Sequence, residues 1–244
     1  MIRRFVLPAI FVAWTILLST LAMVLHFLSL GLTDPGFPIA RSLWFPVLVA
    51  LGRIRVEFEG RGQAGGGPFV VVANHQSNLD VPVLMRALPF PVRFVAKREL
   101  YWIPLFGWYL YTAGYIAIDR RDRERSIRSM RRAGGTMRRR RLSIVVFPEG
   151  TRTHGGEIKP FKKGAFHLAV EAQVPILPVS IEGSFRVMRR GEGTVRAGTI
   201  RVRIHDPVPT AGLTTDAVPE LLETVRERIV SGVESLRQAA VTSS

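Results

Sequence analysis

The chain of 244 residues contains no cysteine, which excludes disulfides, thiolate metal sites and a cysteine nucleophile. Histidine is scarce: the five stand at 26, 75, 154, 167 and 205, none in a ligand spacing such as His-Glu-x-x-His, so no metal is expected. Acids are few as well. Nineteen face 34 lysines and arginines, and the net charge of +15 calls for an anionic partner. Nucleic acid, anionic lipid and a phosphorylated substrate all meet that demand, so charge alone does not choose. There is no internal repeat, and the length suits one sizeable α/β core with an extension to spare.

The amino terminus lacks charge altogether: nothing between Arg4 and Asp34 is ionised, and 5–33 is dominated by Leu, Val, Ala, Ile and Phe. As a helix this run extends about 43 Å at 1.5 Å per residue, enough to reach across a hydrocarbon core of about 30 Å with tilt. A soluble core helix of that length normally carries a polar face. A cleaved signal peptide has a shorter apolar stretch ending in small residues, at which only Thr20-Leu21-Ala22 hints. Membrane attachment is therefore expected. His26 reads as a tolerated polar residue inside the run. The next apolar stretch, 43–51, is interrupted by Pro46 and is too short to cross as a helix.

Beyond residue 52 the pattern changes. The alternation of 54–58 is that of an edge strand, 60–67 is a glycine-rich linker, and a boundary near 53 divides an amino-terminal helical pair (1–52) from an α/β domain (53–244). Strands are expected at 68–73, 92–96, 115–118, 143–147, 175–182 and 194–204, and helices at 79–88, 104–112, 121–141, 163–172 and 216–239. Strands alternating with helices predict an α/β fold with a mixed, largely parallel sheet flanked by helices, antiparallel in the late pair 180–190 and 194–206. The two prolines of 174–179 fit a sheet edge or an acyl-facing wall. The tail from 239 to 244 reads as frayed.

Two turns carry chemistry. Phe69-Val70-Val71-Val72-Ala73 runs into Asn74-His75-Gln76-Ser77-Asn78-Leu79-Asp80. In a regular helix His75 and Asp80 would lie roughly 140° apart, so a turn is needed to join them, and Asn74, Ser77 and Asn78 form such turns. An imidazole held by a carboxylate is a general base, although a lone His near an Asp is more often a capping or packing pair. The second turn, Pro148-Glu149-Gly150-Thr151-Arg152, follows the apolar run 143–147. It is turn chemistry at a strand's carboxyl end, where open α/β sheets bind ligands.

With Gly114-Tyr115-Ile116-Ala117-Ile118-Asp119-Arg120 between them and Val174-Pro175-Ile176-Leu177-Pro178-Val179 after them, these blocks resemble, over roughly 50–210, the glycerolipid acyltransferases that include 1-acylglycerol-3-phosphate acyltransferases. The chain departs from that pattern at Ala117, where an aromatic is usual. The resemblance implies that His75 removes the proton of the acceptor hydroxyl for direct attack and that Asp80 orients it, with Ser77 a turn former rather than a nucleophile. It ties Glu149 and Gly150 to acceptor binding; for Glu149 a structural pairing with an arginine competes. Arg152 suits the acceptor's phosphate because a guanidinium binds it bidentately. Lys97 and Arg120 are further phosphate candidates, and Thr151, Lys162 and Lys163 weaker ones.

The expected reaction moves a fatty acyl group from acyl-CoA or acyl-carrier protein to the sn-2 hydroxyl of 1-acylglycerol 3-phosphate, with no cofactor beyond that co-substrate. Another lysophospholipid or a lyso-aminolipid is the alternative acceptor, and a non-catalytic basic membrane-binding module the remote one. A single full crossing from a cytoplasmic amino terminus would place the basic domain away from those donors. A helical pair that enters one leaflet and returns, or lies along the interface, is preferred, at the cytoplasmic face of a bacterial inner membrane. The segment 120–141 carries eleven arginines against Asp122 and Glu124, with a thin apolar stripe of Ile127, Met130 and Met137. It lacks interleaved aromatics or a base-reading module, so its expected partner is an anionic phospholipid surface and not nucleic acid. Tyr101, Trp102, Phe106, Trp108, Tyr109 and Tyr111 read as core packing, an interfacial belt or an acyl-chain entrance.

Overall fold

The computed structural model describes residues 2–60, 62, 65–118, 129, 133–135, 137, 141–153, 155–189, 191–192 and 194–242. Helices are α1 (Ile2–Leu28), α2 (Gly36–Gly52), α3 (Asp80–Ala87), α4 (Phe106–Thr112), α5 (Gly164–Ala172), α6 (Ser184–Val187) and α7 (Val218–Thr242). Strands are β1 (Ile54–Glu59), β2 (Val70–Ala73), β3 (Val92–Lys97), β4 (Ile116–Ile118), β5 (Ser143–Val146), β6 (Ile176–Glu182) and β7 (Gly198–Ile204). They form one sheet in the order β1-β7-β6-β2-β5-β3-β4. All neighbours are parallel except β6 and β7, which are antiparallel. This is the mixed, largely parallel sheet that the alternating pattern predicts.

Both faces of the sheet are covered, which is why β2, β5 and β6 are buried along their whole length rather than at alternate residues. Val71, Ala73, Val179 and Ile181 pack on Phe45 and Leu48 of α2 and on Val83 and Leu84 of α3. Val70, Val72, Ile144 and Ile176 face Phe166 and Leu168 of α5 and Leu221, Val225 and Ile229 of α7. Burying each such large side chain contributes about 1.5–3 kcal/mol. Met137, from the otherwise basic stretch, joins this second core. Most of 120–141, Arg120 included, lies outside the described residues.

The prolines of 174–179 do not mark a sheet edge, because β6 lies between β7 and β2. Pro178 is tolerated there because its ring nitrogen points toward β7 just beyond the ladder, which starts at Val179↔Ile204. Its carbonyl alone is needed, accepting from the His205 N–H at 3.0 Å. The glycine-rich linker leads to β2, and β7 begins at Gly198, four residues later than the sequence pattern proposes.

Helix α2 starts well before residue 43 and is continuous through Pro46. A π turn over Ala40–Trp44 precedes that proline, and the widened turn relieves the clash a proline ring makes with the preceding helix. Its 17 residues span about 25 Å, still short of a membrane. Helix α1 packs along it, with Trp44 Nε1 donating to Thr15 Oγ1 at 2.8 Å and Phe11 5.4 Å from Trp44 between ring centroids. Residues 9–28 of α1 are long and apolar enough to cross a membrane, and only 17% of that window is buried.

Candidate active site

Parallel strands deliver their carboxyl ends to one rim, so β6, β2, β5 and β3 place the segments that follow them side by side. Asn74 closes β2 by a two-way clamp on β6: its Nδ2 donates to the Ile181 carbonyl and its Oδ1 accepts from the Ile181 N–H, both at 2.8 Å. The chain then turns, and Asp80 enters α3 as its first residue, where a carboxylate also suits the positive end of the helix.

Asp80 is fully buried, and its Oδ2 accepts from His75 Nδ1 (2.8 Å), the Gln76 N–H (2.7 Å) and the Ser77 N–H (2.8 Å). One oxygen therefore builds the turn and holds the imidazole; Oδ1 has no hydrogen-bond partner. The hydrogen bond fixes the proton of neutral His75 on Nδ1, leaving Nε2 as the basic nitrogen. The ring stacks on Phe147, with centroids 4.0 Å apart and planes 13° off parallel, and its side chain stays 13% exposed. Ser77 donates its hydroxyl proton to the Met188 carbonyl at 2.8 Å, so that hydroxyl braces the turn.

The second turn is laced to the first. Glu149 Oε1 accepts from the His75 N–H at 2.7 Å, and the Thr153 N–H donates to the His75 carbonyl at 3.1 Å. Glu149 Oε2 takes the Lys159 N–H at 3.0 Å. Burial pushes the Glu149 carboxyl above its ordinary value of 4.5; these two N–H groups and His75 pull it back, while Asp80 pushes it further up. Among the described residues its hydrogen-bond partners are these two backbone groups. Gly150 takes φ +72°, a conformation natural to glycine, and a Cβ there would fall 2.9 Å from Lys162 Nζ. Thr151 and Arg152 follow, both partly buried. Lys97, exposed at the end of β3, emerges on the same rim, roughly 10 Å from β2 at two strand spacings.

The structure thus brings His75, Asp80, Glu149, Gly150, Thr151 and Arg152 together and sets Lys97 beside them; Arg120 lies outside the described residues. Phe147 and Thr153 are structural members of the site that the sequence pattern did not single out, and Asn74, read there as a local turn former, instead clamps β6; each acts through a partner distant in sequence. Among the described residues, no group of three His, Asp or Glu side chains could hold a metal ion.

Comparisons with known proteins bear on this arrangement. The family model described as Acyltransferase matches residues 53–182, more than half of the chain. The 1-acyl-sn-glycerol-3-phosphate acyltransferase alpha of Homo sapiens is 38% identical over 230 residues, covering 94% of this chain and 81% of that protein. The 1-acyl-sn-glycerol-3-phosphate acyltransferase of Saccharomyces cerevisiae is 33% identical over 199 residues, covering 81% of this chain and 65% of that protein. The crystal structure of the 1-acyl-sn-glycerophosphate (LPA) acyltransferase PlsC from Thermotoga maritima superposes with a TM-score of 0.74 at 27% identity, over 94% of this chain and 95% of that one. With the His75–Asp80 pair and the 148–152 turn at the centre of the matched region, the chain belongs to the acyltransferase family.

Proposed function

We propose that this acyltransferase moves a fatty acyl group from an acyl-CoA or acyl-carrier-protein thioester to the sn-2 hydroxyl of 1-acylglycerol 3-phosphate, giving phosphatidic acid. The observation that carries the chemistry is His75 Nδ1 held 2.8 Å from the buried carboxylate of Asp80, with the histidine side chain still 13% exposed. His75 Nε2 takes the hydroxyl proton as the acceptor oxygen attacks the thioester carbonyl. Asp80 stabilises the imidazolium that forms. When the tetrahedral intermediate collapses, the C–S bond breaks and the imidazolium returns the proton to the leaving thiolate, so the ring ends neutral.

Arg152 grips the acceptor's phosphate, assisted by Lys97 and by Arg120. Glu149 supports catalysis by clasping the His75 backbone, and Gly150 and Thr151 shape the turn that presents Arg152. The printed names of the three relatives given above, 1-acyl-sn-glycerol-3-phosphate or 1-acyl-sn-glycerophosphate acyltransferases, support this choice of acceptor. No cofactor is required by this sequence of steps.

Residues 1–52 serve as the membrane-attached part and 53–244 as the catalytic domain. Along α1, Leu18, Ala22 and His26 face inward, whereas Ile10, Ile16, Leu17, Val24 and Leu28 are exposed and apolar. A helix that is apolar on its free face and is held against α2 and, near its carboxyl end, α4 fits the interfacial placement in one leaflet, here at the cytoplasmic face of a bacterial inner membrane. Protection of the carboxyl terminus from protease in sealed inverted vesicles would contradict that side.

The function is tested by thiol release from a long-chain acyl thioester with purified protein over a panel of lysolipids. Release stimulated most by 1-acylglycerol 3-phosphate is expected. Equal or greater stimulation by a neutral or amino lysolipid would reject this acceptor.

A further inference from the structure

His75 sits in the middle of the rim. The cations assigned to the acceptor's phosphate follow β5 and β3 on one side, and on that side the chain leads into the exposed apolar side chains Leu100, Trp102, Leu105 and Trp108. Direct transfer needs a second substrate to reach the same imidazole, and the side of β6 and β7 is open to it. There a cavity of about 460 Å³ is lined by Arg186, Thr199, Arg201, Arg237, Ala240 and Val241. It holds three guanidiniums, a hydroxyl and a small apolar patch, and among the described residues no acidic side chain lines it.

The arginines are positioned from outside the cavity. Arg186 pairs with the fully buried Glu182, and Arg201 Nε lies 2.8 Å from Glu57 Oε2. Each guanidinium has five N–H donors, so pairing with one carboxylate leaves others for an anion. Arg237 Nη2 donates to the Gly156 carbonyl, the same atom that accepts from Gln76 Nε2, both at 3.4 Å. Gln76 is the neighbour of His75, so the cavity wall and the catalytic turn share a hydrogen-bond acceptor. β7 lies two strands from β2, roughly 10 Å, a gap that a pantetheine arm spans.

Resting on the acyl-transfer reading above, we propose that this cavity binds the nucleotide end of an acyl-CoA donor, with phosphates on Arg186, Arg201 and Arg237 and the adenosine against Ala240 and Val241. Donor and acceptor then approach His75 from opposite sides of the rim, the thioester from the water-facing arginines and the lysolipid from the apolar flank.

The test is equilibrium binding of CoA, with pantetheine as the phosphate-free control, to the full-length protein in detergent. Two variants are chosen to spare the fold: Arg237→Gln on the exposed end of α7, and Val241→Glu at a residue 78% exposed. Arg186 is left in place because its removal would strand Glu182. CoA affinity at least tenfold weaker in both variants, with pantetheine unchanged, is expected. CoA binding equal to wild type in both variants overturns the site. So does arginine-dependent binding of acyl-carrier protein, or of vesicles containing phosphatidic acid, without any such dependence for CoA. Binding is read without turnover: a protein that holds CoA through these arginines yet releases no thiol refutes the acyl transfer alone, and turnover with variant-insensitive CoA binding refutes the cavity alone.

Discussion

Asp80 Oδ2 accepts from three donors at once, which makes the general base and the turn that carries it inseparable at the acid but separable at the base. Removing the imidazole leaves the Gln76 and Ser77 N–H groups still bound to Asp80. His75→Ala should therefore lower thiol release by about 10²–10⁴-fold, the usual contribution of a positioned base, while the thermal midpoint moves little. Turnover at the wild-type rate would remove His75 from the mechanism. Glu149 is different, because its two oxygens each hold a backbone N–H. Glu149→Gln keeps one acceptor and turns an amide NH₂ toward the other N–H, so a loss of about 1–3 kcal/mol is expected, with kcat falling alongside. A denaturation midpoint identical to wild type would show that this carboxylate does not clasp the turns. The His75–Asp80 pair was readable from sequence because both partners sit in one short turn. The clasp was not: Glu149 is 74 residues from His75, and its partner is a backbone group, which leaves no side-chain pattern to read.

Helix α7 was readable from its apolar period, but how closely it packs was not. Gly232 lets it approach β6 so nearly that an added Cβ would fall 2.3 Å from Ser180 Oγ. At that contact Ser180 Oγ donates to the Ile229 carbonyl at 2.9 Å and accepts from His205 Nε2 at 2.8 Å. Burial pushes His205 down from 6.5 to about 4, with Arg203 and Arg228 pushing the same way and Asp206 opposing. The unfolded chain therefore takes up this proton at a higher pH than the folded one does. The contribution of His205 to stability is complete above about 6.5 and is lost as pH falls from there through about 4. Denaturant melts across that window should show wild type losing stability relative to His205→Gln. Parallel curves for the two proteins would mean that the contact between α7 and the sheet does not sense this proton. The edge reading of 174–179 failed for a related reason, since a proline's cost depends on which way its ring nitrogen points across the ladder.

The helical pair is joined to the α/β domain by polar groups that its apolar sequence does not announce. His26, 1% exposed, uses both ring nitrogens, Nδ1 to the Thr33 carbonyl at 2.6 Å and Nε2 with Thr112 Oγ1 at 2.7 Å; it is a fastener, not merely a tolerated polar residue. In the loop between α1 and α2, Asp34 Oδ1 accepts from the Tyr109 hydroxyl at 2.8 Å. Its Oδ2 lies 2.8 Å from Arg93 Nη2 without the alignment of a hydrogen bond, so charge attraction dominates that contact. Tyr115, stacked under the Arg93 guanidinium at 5.6 Å, is pushed up to about 12, chiefly by burial and then by Asp34. These contacts fix one end of the pair to β3 and α4, and the chain's entry from α2 into β1 fixes the other, so the apolar outer face of α1 is held at a set height relative to His75. Breaking one partner of a buried ion pair is costly because the other is left charged, whereas replacing both is far less so. Asp34→Ala should destabilise the protein by about 3–5 kcal/mol. Arg93→Met introduced into that variant should recover part of the loss, leaving a deficit of about 1–3 kcal/mol for the Tyr109 hydroxyl, the Gly36 N–H and the Ala113 carbonyl, which lose these partners. Thermal melts of the two single variants and the double variant in detergent measure this coupling. Additive losses would mean that Asp34 and Arg93 are independent and that the helical pair is tethered by its chain connection and apolar packing alone.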